Sequence, residues 1–411
     1  MVFTDPMPDA PPDGLPHGLP PGRVDGRVDG RVDGAVADAR AATAADAVRV
    51  LFGRRLAALP GTWLPTVTGP GRRVWRGPWH YWWHAHVLDA LVDEALRDRA
   101  AGRHTEAADA VRRATALLRT LRLRNLGTFR NHYYDDMAWL ALAAGRLDRL
   151  GHARGPIGVA RAAERRLTPT LRLGDTPELG GGVYWNDTHD FKNVPASAPA
   201  ALHFARTGDL DRARRVADWI LARLVDSQTG LVLDGLRIGP DGSTALVADI
   251  YTYNQGTVLG LLVELGDPAS LARAADLVAA VRAHLTTDPA GRVLRGHGGH
   301  DGGLFTGILV RYLALAAHSP GLDAAARATA VDLVTSTADA LWTGRRSITP
   351  PPRSGMPSAP VPVFSPEPVE PADETRPRGI PVELSTQVQA WTILEAAASL
   401  RPSGRSPRMI A

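Results

Sequence analysis

Asn131-His-Tyr-Tyr-Asp-Asp-Met-Ala-Trp-Leu-Ala-Leu-Ala-Ala-Gly145 combines the two patterns on which the reading of this chain turns. From Met137 onward, Leu140, Ala141 and Ala144 recur at helical spacing, and Gly145 is a natural place for the helix to stop. The helix carries no charge between Asp136 and Arg146, so it is expected to be buried on every side. Immediately before it, an aromatic loop delivers two adjacent carboxylates, Asp135 and Asp136.

The same arrangement, a loop of aromatic or polar residues followed by an apolar helix of small residues, recurs along the chain. It begins near Trp79, Tyr133, Lys192, Tyr253, Phe305 and Leu384. The first five starts are about 50 to 60 residues apart, one helix pair with its loops. Arg-, Asp- and Glu-rich amphipathic helices fill the intervals, over 105–119, 210–225, 270–285 and 323–342. Six apolar helices alternating with half-solvated ones predict two concentric rings, an all-α (α/α)6 barrel of six inner and six outer helices. An open solenoid is the competing arrangement, and the lack of a polar capping repeat at either end favours closure. In a closed barrel the loops before the inner helices meet at one end.

Composition agrees with helix. Ala, Leu and Arg dominate the 411 residues, 44% are hydrophobic, and long alternating runs of β-branched residues are scarce. Residues 1–34, rich in Pro and Gly and carrying Gly-Arg-Val-Asp three times in tandem from Gly22 to Asp33, are expected to be disordered. Residues 35–400 are expected to form the (α/α)6 domain, with a Pro-rich insert at 348–381, and 401–411 a flexible tail. The absence of Cys removes disulfides and thiolate metal sites. The formal net charge is only +4, and the basic residues are interspersed with acids, which argues against a nucleic-acid surface. No apolar run reaches membrane-spanning length, and the N-terminus lacks the pattern of a secretory signal. As written, the chain is expected in the cytoplasm, with export open if the start codon lies elsewhere, and it is expected to act as a monomer without a cofactor.

An Asp at a helix start is a preferred N-cap, which is the plain reading of Asp135 and Asp136. The chemical reading is hydrolysis of a glycosidic bond, for which one acid protonates the leaving oxygen and the other attacks or activates water. Adjacent residues on a helix place their carboxyls about 5–6 Å apart, near the spacing of retaining enzymes. Like charge at that range pushes one pKa up, leaving one acid protonated while the other ionises. Around the pair the barrel reading collects Trp79, Tyr133, Tyr134, Trp82, Trp83, Lys192, Asn193, Tyr253, Asn254, Gln255 and Phe305; all of these but Trp79 and Tyr133, together with Trp185 as a sugar platform and Asp301 of the rim loop, are the candidate substrate-binding residues. Aromatic faces suit the C–H faces of sugar rings, and amides suit their hydroxyls. Core packing competes for each Trp and helix capping for the two Asn, while Trp139 and Trp391, inside helices, are read as core. His297, His300 and Asp301 do not have the spacing of a recognised zinc site and are read as part of a rim loop. Arg311, inside its helix, is read as a buried ion-pair partner.

Tyr134-Asp-Asp-Met-Ala-Trp139 resembles the signature of glycoside hydrolase family 76, the α-1,6-mannanases. Gly181-Gly-Val-Tyr-Trp-Asn186, Lys192-Asn193, Tyr253-Asn-Gln-Gly256 and Phe305-Thr-Gly-Ile-Leu-Val-Arg-Tyr312 resemble further blocks of that family, in its order. The resemblance covers roughly residues 40–345. It implies an (α/α)6 barrel that cleaves α-1,6-mannosidic bonds in mannan or manno-oligosaccharides with retention, Asp135 acting as nucleophile and Asp136 as acid/base. Thr306 stands where the family often has Lys, and the Pro-rich insert is a second departure. Because the family includes wall transglycosylases, transfer to a sugar acceptor is an alternative to hydrolysis. A sugar epimerase or uronide hydrolase on the same barrel and a non-catalytic mannan-binding scaffold are the others; the paired acids argue against both.

Overall fold

The computed structural model describes residues 27–28, 31–69, 79–151, 155, 157–351 and 359–400. In chain order its helices are α1 (Gly34–Phe52), α2 (Tyr81–Ala100), α3 (His104–Arg124), α4 (Tyr134–Gly151), α5 (Gly158–Gly174), α6 (Val194–Arg206), α7 (Leu210–Arg223), α8 (Thr252–Leu265), α9 (Pro268–His284), α10 (Gly302–His318), α11 (Ala324–Thr343), the single turn α12 (Ala372–Thr375) and α13 (Leu384–Ser399). Helices α2, α4, α6, α8, α10 and α13 touch one another in sequence, and α13 returns to α2, so the inner ring is closed. Helices α1, α3, α5, α7, α9 and α11 lie outside it. This is the (α/α)6 barrel, with no polar capping repeat because the ring has no ends.

The two rings follow from side-chain chemistry. Inner helices are buried nearly all round, as in α4, where Met137 through Gly145 are all covered. Outer helices bury one stripe, as in α3, where Ala107, Ala110, Ala114, Leu117, Leu118 and Leu121 face inward and Arg residues cover the rest. Asp side chains start several outer helices: Asp33 accepts from the Ala35 N–H, Asp267 from Ser270 and Asp323 from Ala326. One boundary differs from the sequence expectation. Helix α4 does not stop at Gly145 but runs to Gly151. Glu164 of α5 lies so close to Gly145 that a Cβ there would sit 2.6 Å from its carboxylate, so the glycine admits a neighbour rather than ending a helix.

Short strands decorate both ends of the barrel. They are β1 (Arg27–Val28), β2 (Arg31–Val32), β3 (Gly53–Arg54), β4 (Leu64–Pro65), β5 (Thr68–Gly69), β6 (Phe191–Asn193), β7 (Gly235–Ile238), β8 (Thr244–Val247), β9 (Arg346–Ile348), β10 (Val361–Val363) and β11 (Val382–Glu383). The antiparallel sheet β6-β7-β8 leads directly into α6 and holds Lys192 and Asn193 in place. Two segments set apart in the sequence reading are seen here in part. Within 1–34, residues 1–26 and 29–30 lie outside the described residues, but β1 pairs with β2 and Asp33 caps α1, so the last of the tandem repeats joins the fold. Residues 401–411 also lie outside the described residues. The Pro-rich insert contains β10, which pairs with β9, and α12. No helix among the described residues is long and apolar enough to cross a membrane.

Beneath the loop end, four largely buried charges tie three inner helices together. Arg146 of α4 pairs with Asp89 and, at 2.5 Å, with Asp93, both on α2. Arg311 of α10 pairs with the same two acids at 3.2 and 2.6 Å. The sequence reading of Arg311 as an ion-pair partner therefore holds. Burial pushes the Asp89 carboxyl up, but the two guanidinium groups outweigh it and hold it down at about 2.

Candidate active site

Asp135 and Asp136 occupy the first turn of α4. The entry to this helix is pinned by main-chain bonds. Tyr134 N–H donates to the Trp185 carbonyl at 2.8 Å, and Tyr133 bridges to Asn186. Both acids are surrounded by protein on most sides but open to the cleft.

Their surroundings differ. Asp135 accepts the Trp185 indole N–H at 3.0 Å and the Asp136 backbone N–H at 2.7 Å. Asp136 accepts one side-chain amide, from Asn131 at 2.5 Å. Burial raises Asp135 to about 7, with its hydrogen bonds working in the other direction. Burial, reinforced by the charge of Asp135, carries Asp136 well above the ordinary carboxyl range. The pair therefore divides its protons unequally. Asp135 ionises first, because donors stabilise its charge, and Asp136 keeps its proton longer. A carboxylate beside a carboxylic acid can attack an electrophilic carbon and protonate a leaving oxygen.

The rest of the cleft is aromatic. Tyr253 and Phe305 stack with ring centres 4.0 Å apart, and Trp139 tilts against Tyr253 at 6.5 Å. Trp82 lies beside Phe305, and the edge of His86 meets it at 5.5 Å. On the opposite wall Trp185 rests against the exposed Tyr133 at 5.2 Å. Asp301 faces the pair from the start of α10. Its Oδ1 accepts both the Trp82 and Trp83 indole N–H groups, at 3.2 and 2.7 Å, and its charge helps to raise Asp135 and Asp136. The structure thus brings Asp135, Asp136, Tyr134, Trp82, Trp83, Trp185, Tyr253, Asp301 and Phe305 to one end of the barrel.

Four of the predicted substrate-binding residues are buried beneath that surface and engaged by the protein itself. Lys192 is fully buried, its ammonium donating to the carbonyls of Thr176, Glu178 and Gly181 at 2.7, 2.8 and 2.9 Å. Asn193 caps α6 through the Ala196 N–H. Gln255 spends both ends of its amide on Val232 and donates again to Tyr251. Asn254 donates to Asp234 at 3.0 Å. The reason is physical: irregular chain entering a buried helix leaves backbone groups without partners, and polar side chains satisfy them. A sugar hydroxyl and a backbone carbonyl ask for the same residue types, so the sequence alone could not separate the two uses.

Lys192 nonetheless matters to the site. Strand β6 around it bonds the chain that carries Trp185, through Trp185 N–H to the Phe191 carbonyl at 2.8 Å and a bridge between Tyr184 and Lys192. Burial lowers the ammonium to about 8. Lys192→Met is expected to leave three carbonyls without their charged donor, destabilising the fold by roughly 2–4 kcal/mol. Denaturant titration checks the stability, and a weakened fluorescence signature of Trp185 would report the loosened wall.

Other residues were missed. Asn131 sits five residues before Asp136, too far for a fixed helical relation. Asp234, raised to about 6 by burial, enters beside Asn254 from a loop with no pattern of its own. His86, buried and kept neutral by burial at about 3, lies in the Trp-rich stretch of α2 one helical turn from Trp82 and Trp83, a spacing that was available to find it. Trp139, read as core, is core and also backs the cleft floor. His297 accepts from the Thr252 N–H, and no cluster of three or more His, Cys, Asp or Glu able to hold a metal occurs among the described residues.

Comparison with known proteins agrees with this geometry. The model of Glycosyl hydrolase family 76 matches residues 36–349. The GH76A α-1,6-mannanase from Salegentibacter sp. HEL1_6 is similar with a TM-score of 0.72 and 28% identity, over 89% of this chain and 100% of that chain. An inactive variant of the same enzyme, with two aspartates replaced by alanine and in complex with α-1,6-mannotetrose, gives 0.72 and 27%, over 89% and 99%. The Lin0763 protein from Listeria innocua shares the fold, with a TM-score of 0.69 and 24% identity over 89% of this chain and 97% of that chain. No curated protein matches the chain by sequence. With a family model covering most of its length and an acid pair at the mouth of a closed (α/α)6 barrel, the chain belongs to glycosyl hydrolase family 76.

Proposed function

We propose that the chain hydrolyses α-1,6-mannosidic bonds in mannan or manno-oligosaccharides by a retaining double displacement. The observation that carries the reading is the unequal environment of the two adjacent acids. Asp135, with an indole and a backbone N–H on its carboxylate, is the nucleophile. Asp136, which holds its proton to higher pH, is the acid/base. In the first step an Asp135 oxygen bonds to the anomeric carbon, the glycosidic C–O bond breaks, and the Asp136 proton passes to the leaving oxygen. In the second, water attacks the same carbon, its proton goes to Asp136, and Asp135 leaves as carboxylate. The Tyr253–Phe305 stack, Trp82 and Trp185 offer faces to the sugar rings, and Asp301 offers a carboxylate to their hydroxyls. The similarity to a mannanase seen with α-1,6-mannotetrose supports the choice of glycan.

Product analysis on linear α-1,6-mannan tests this. The expected result is release of manno-oligosaccharides whose first-formed reducing end, followed by proton NMR, is the α-anomer. A β-anomer would replace retention by inversion, and intact mannan would remove the proposed substrate.

A further inference from the structure

We infer that Glu367, in the Pro-rich insert, is a positioning residue that sets the cleft wall by holding the loop that presents Asp301. The carboxylate of Glu367 spans two backbone amides of that loop. Its Oε2 accepts the Gly296 N–H at 2.9 Å and its Oε1 the Gly298 N–H at 2.7 Å. Charge-assisted bonds of this kind are about twice as strong as neutral ones. The contact is close enough to dictate the sequence opposite: a Cβ on Gly296 would stand 2.4 Å from the Glu367 carboxylate and from the Pro366 carbonyl. Three residues beyond Gly298 the loop reaches Asp301, whose Oδ1 takes the indole N–H groups of Trp82 and Trp83.

An anchor is useful only if it is itself fixed, and the insert is. Phe364 exchanges two hydrogen bonds with the buried Gln387 of α13, both at 3.2 Å. The Pro366 carbonyl accepts from Gln389, one helical half-turn on, whose other end receives Thr306 N–H at the start of α10. The segment therefore runs from a riveted strand across the inner ring to the rim loop. Residues 350–381 fall outside the family match, which ends at 349. Helix α4 supplies the acid pair, and this segment fixes one wall beside it.

The inference rests on the reading of Asp301 as a sugar-binding group, and the test separates the two. Glu367→Gln keeps the size of the side chain but leaves one oxygen for two amides. Hydrogen exchange is followed by mass spectrometry on the peptide around 294–304 of the full chain, and steady-state kinetics are measured on α-1,6-mannotetraose. Exchange in that peptide is expected to quicken, and KM to rise about tenfold with kcat nearly unchanged, as for lost ground-state binding. Asp301→Asn is expected to raise KM similarly, and the double variant no further than the larger single effect, because both act through one contact. Unchanged exchange, additive effects on KM, or a fall in kcat with KM intact would overturn the role of Glu367. Quickened exchange with unaltered Asp301→Asn kinetics would instead overturn the sugar contact of Asp301, and with it the positioning role.

Discussion

Asp135→Asn and Asp136→Asn are each expected to lower kcat on α-1,6-mannan by roughly 10^3-fold, the scale of losing a nucleophile or a general acid. The two variants should differ in kind. Asp136→Asn loses protonation of the leaving oxygen, so a substrate with a good leaving group, such as an aryl mannoside, should recover much of its first step. Asp135→Asn loses the attacking atom, and no leaving group restores it. Equal behaviour on both substrates would reverse or dissolve the assignment. The pH profile of the native enzyme follows from the same environments. Activity should rise as pH passes about 7, where Asp135 ionises, and fall again when Asp136 loses its proton. Stability should move oppositely. The native carboxyl of Asp135 titrates above its ordinary 3.8, so between 3.8 and about 7 the unfolded chain releases a proton that the folded chain keeps. Stability therefore falls as pH rises through that window. Asp135→Asn removes the penalty, and thermal melts at pH 8 should show it more stable than wild type by on the order of 2 kcal/mol.

Arg311→Met should be the most damaging substitution outside the cleft. It leaves Asp89 and Asp93 buried with only Arg146 to balance them, and breaking a buried ion cluster from one side costs roughly 3–5 kcal/mol. Calorimetry at pH 7 should show Tm lowered by about 5 °C or more. The acid side carries a second signature. Asp89 titrates at about 2 in the native protein against its ordinary 3.8, so its contribution is complete above 3.8 and disappears as pH falls towards 2. With Arg311 gone the native value rises, and that acid-linked stabilisation should shrink. A variant as stable as wild type at pH 7 would mean that Arg146 alone neutralises both acids.

The closed ring was legible in the sequence because inner and outer helices experience different solvents. An inner helix such as α4 touches protein on all sides and so carries Leu, Ala, Met and Trp in every direction. An outer helix such as α3 meets water on one face and so carries Arg there. That contrast repeats around the ring, and the acid pair stands out because two adjacent carboxylates lie inside the first turn of a buried helix. Five blocks in family order then pointed to the chemistry.

What a polar loop residue bonds to was settled only by tertiary structure. Lys192, Asn193 and Gln255 have the composition of sugar-binding groups, yet their partners are backbone atoms brought near by β6, β7 and the loops around them. The sequence shows only that the insert is rich in proline, and its Glu367 becomes an anchor only because α13 carries it across to Gly296 and Gly298. The division of protons between Asp135 and Asp136 depends on their burial and on the partners, Trp185 and Asn131, that reach them from distant and neighbouring chain. Periodicity in a chain records which faces meet water, since burial acts on every residue of a helix face. A hydrogen bond between distant segments leaves no such period, and its partners exist only once the barrel has closed.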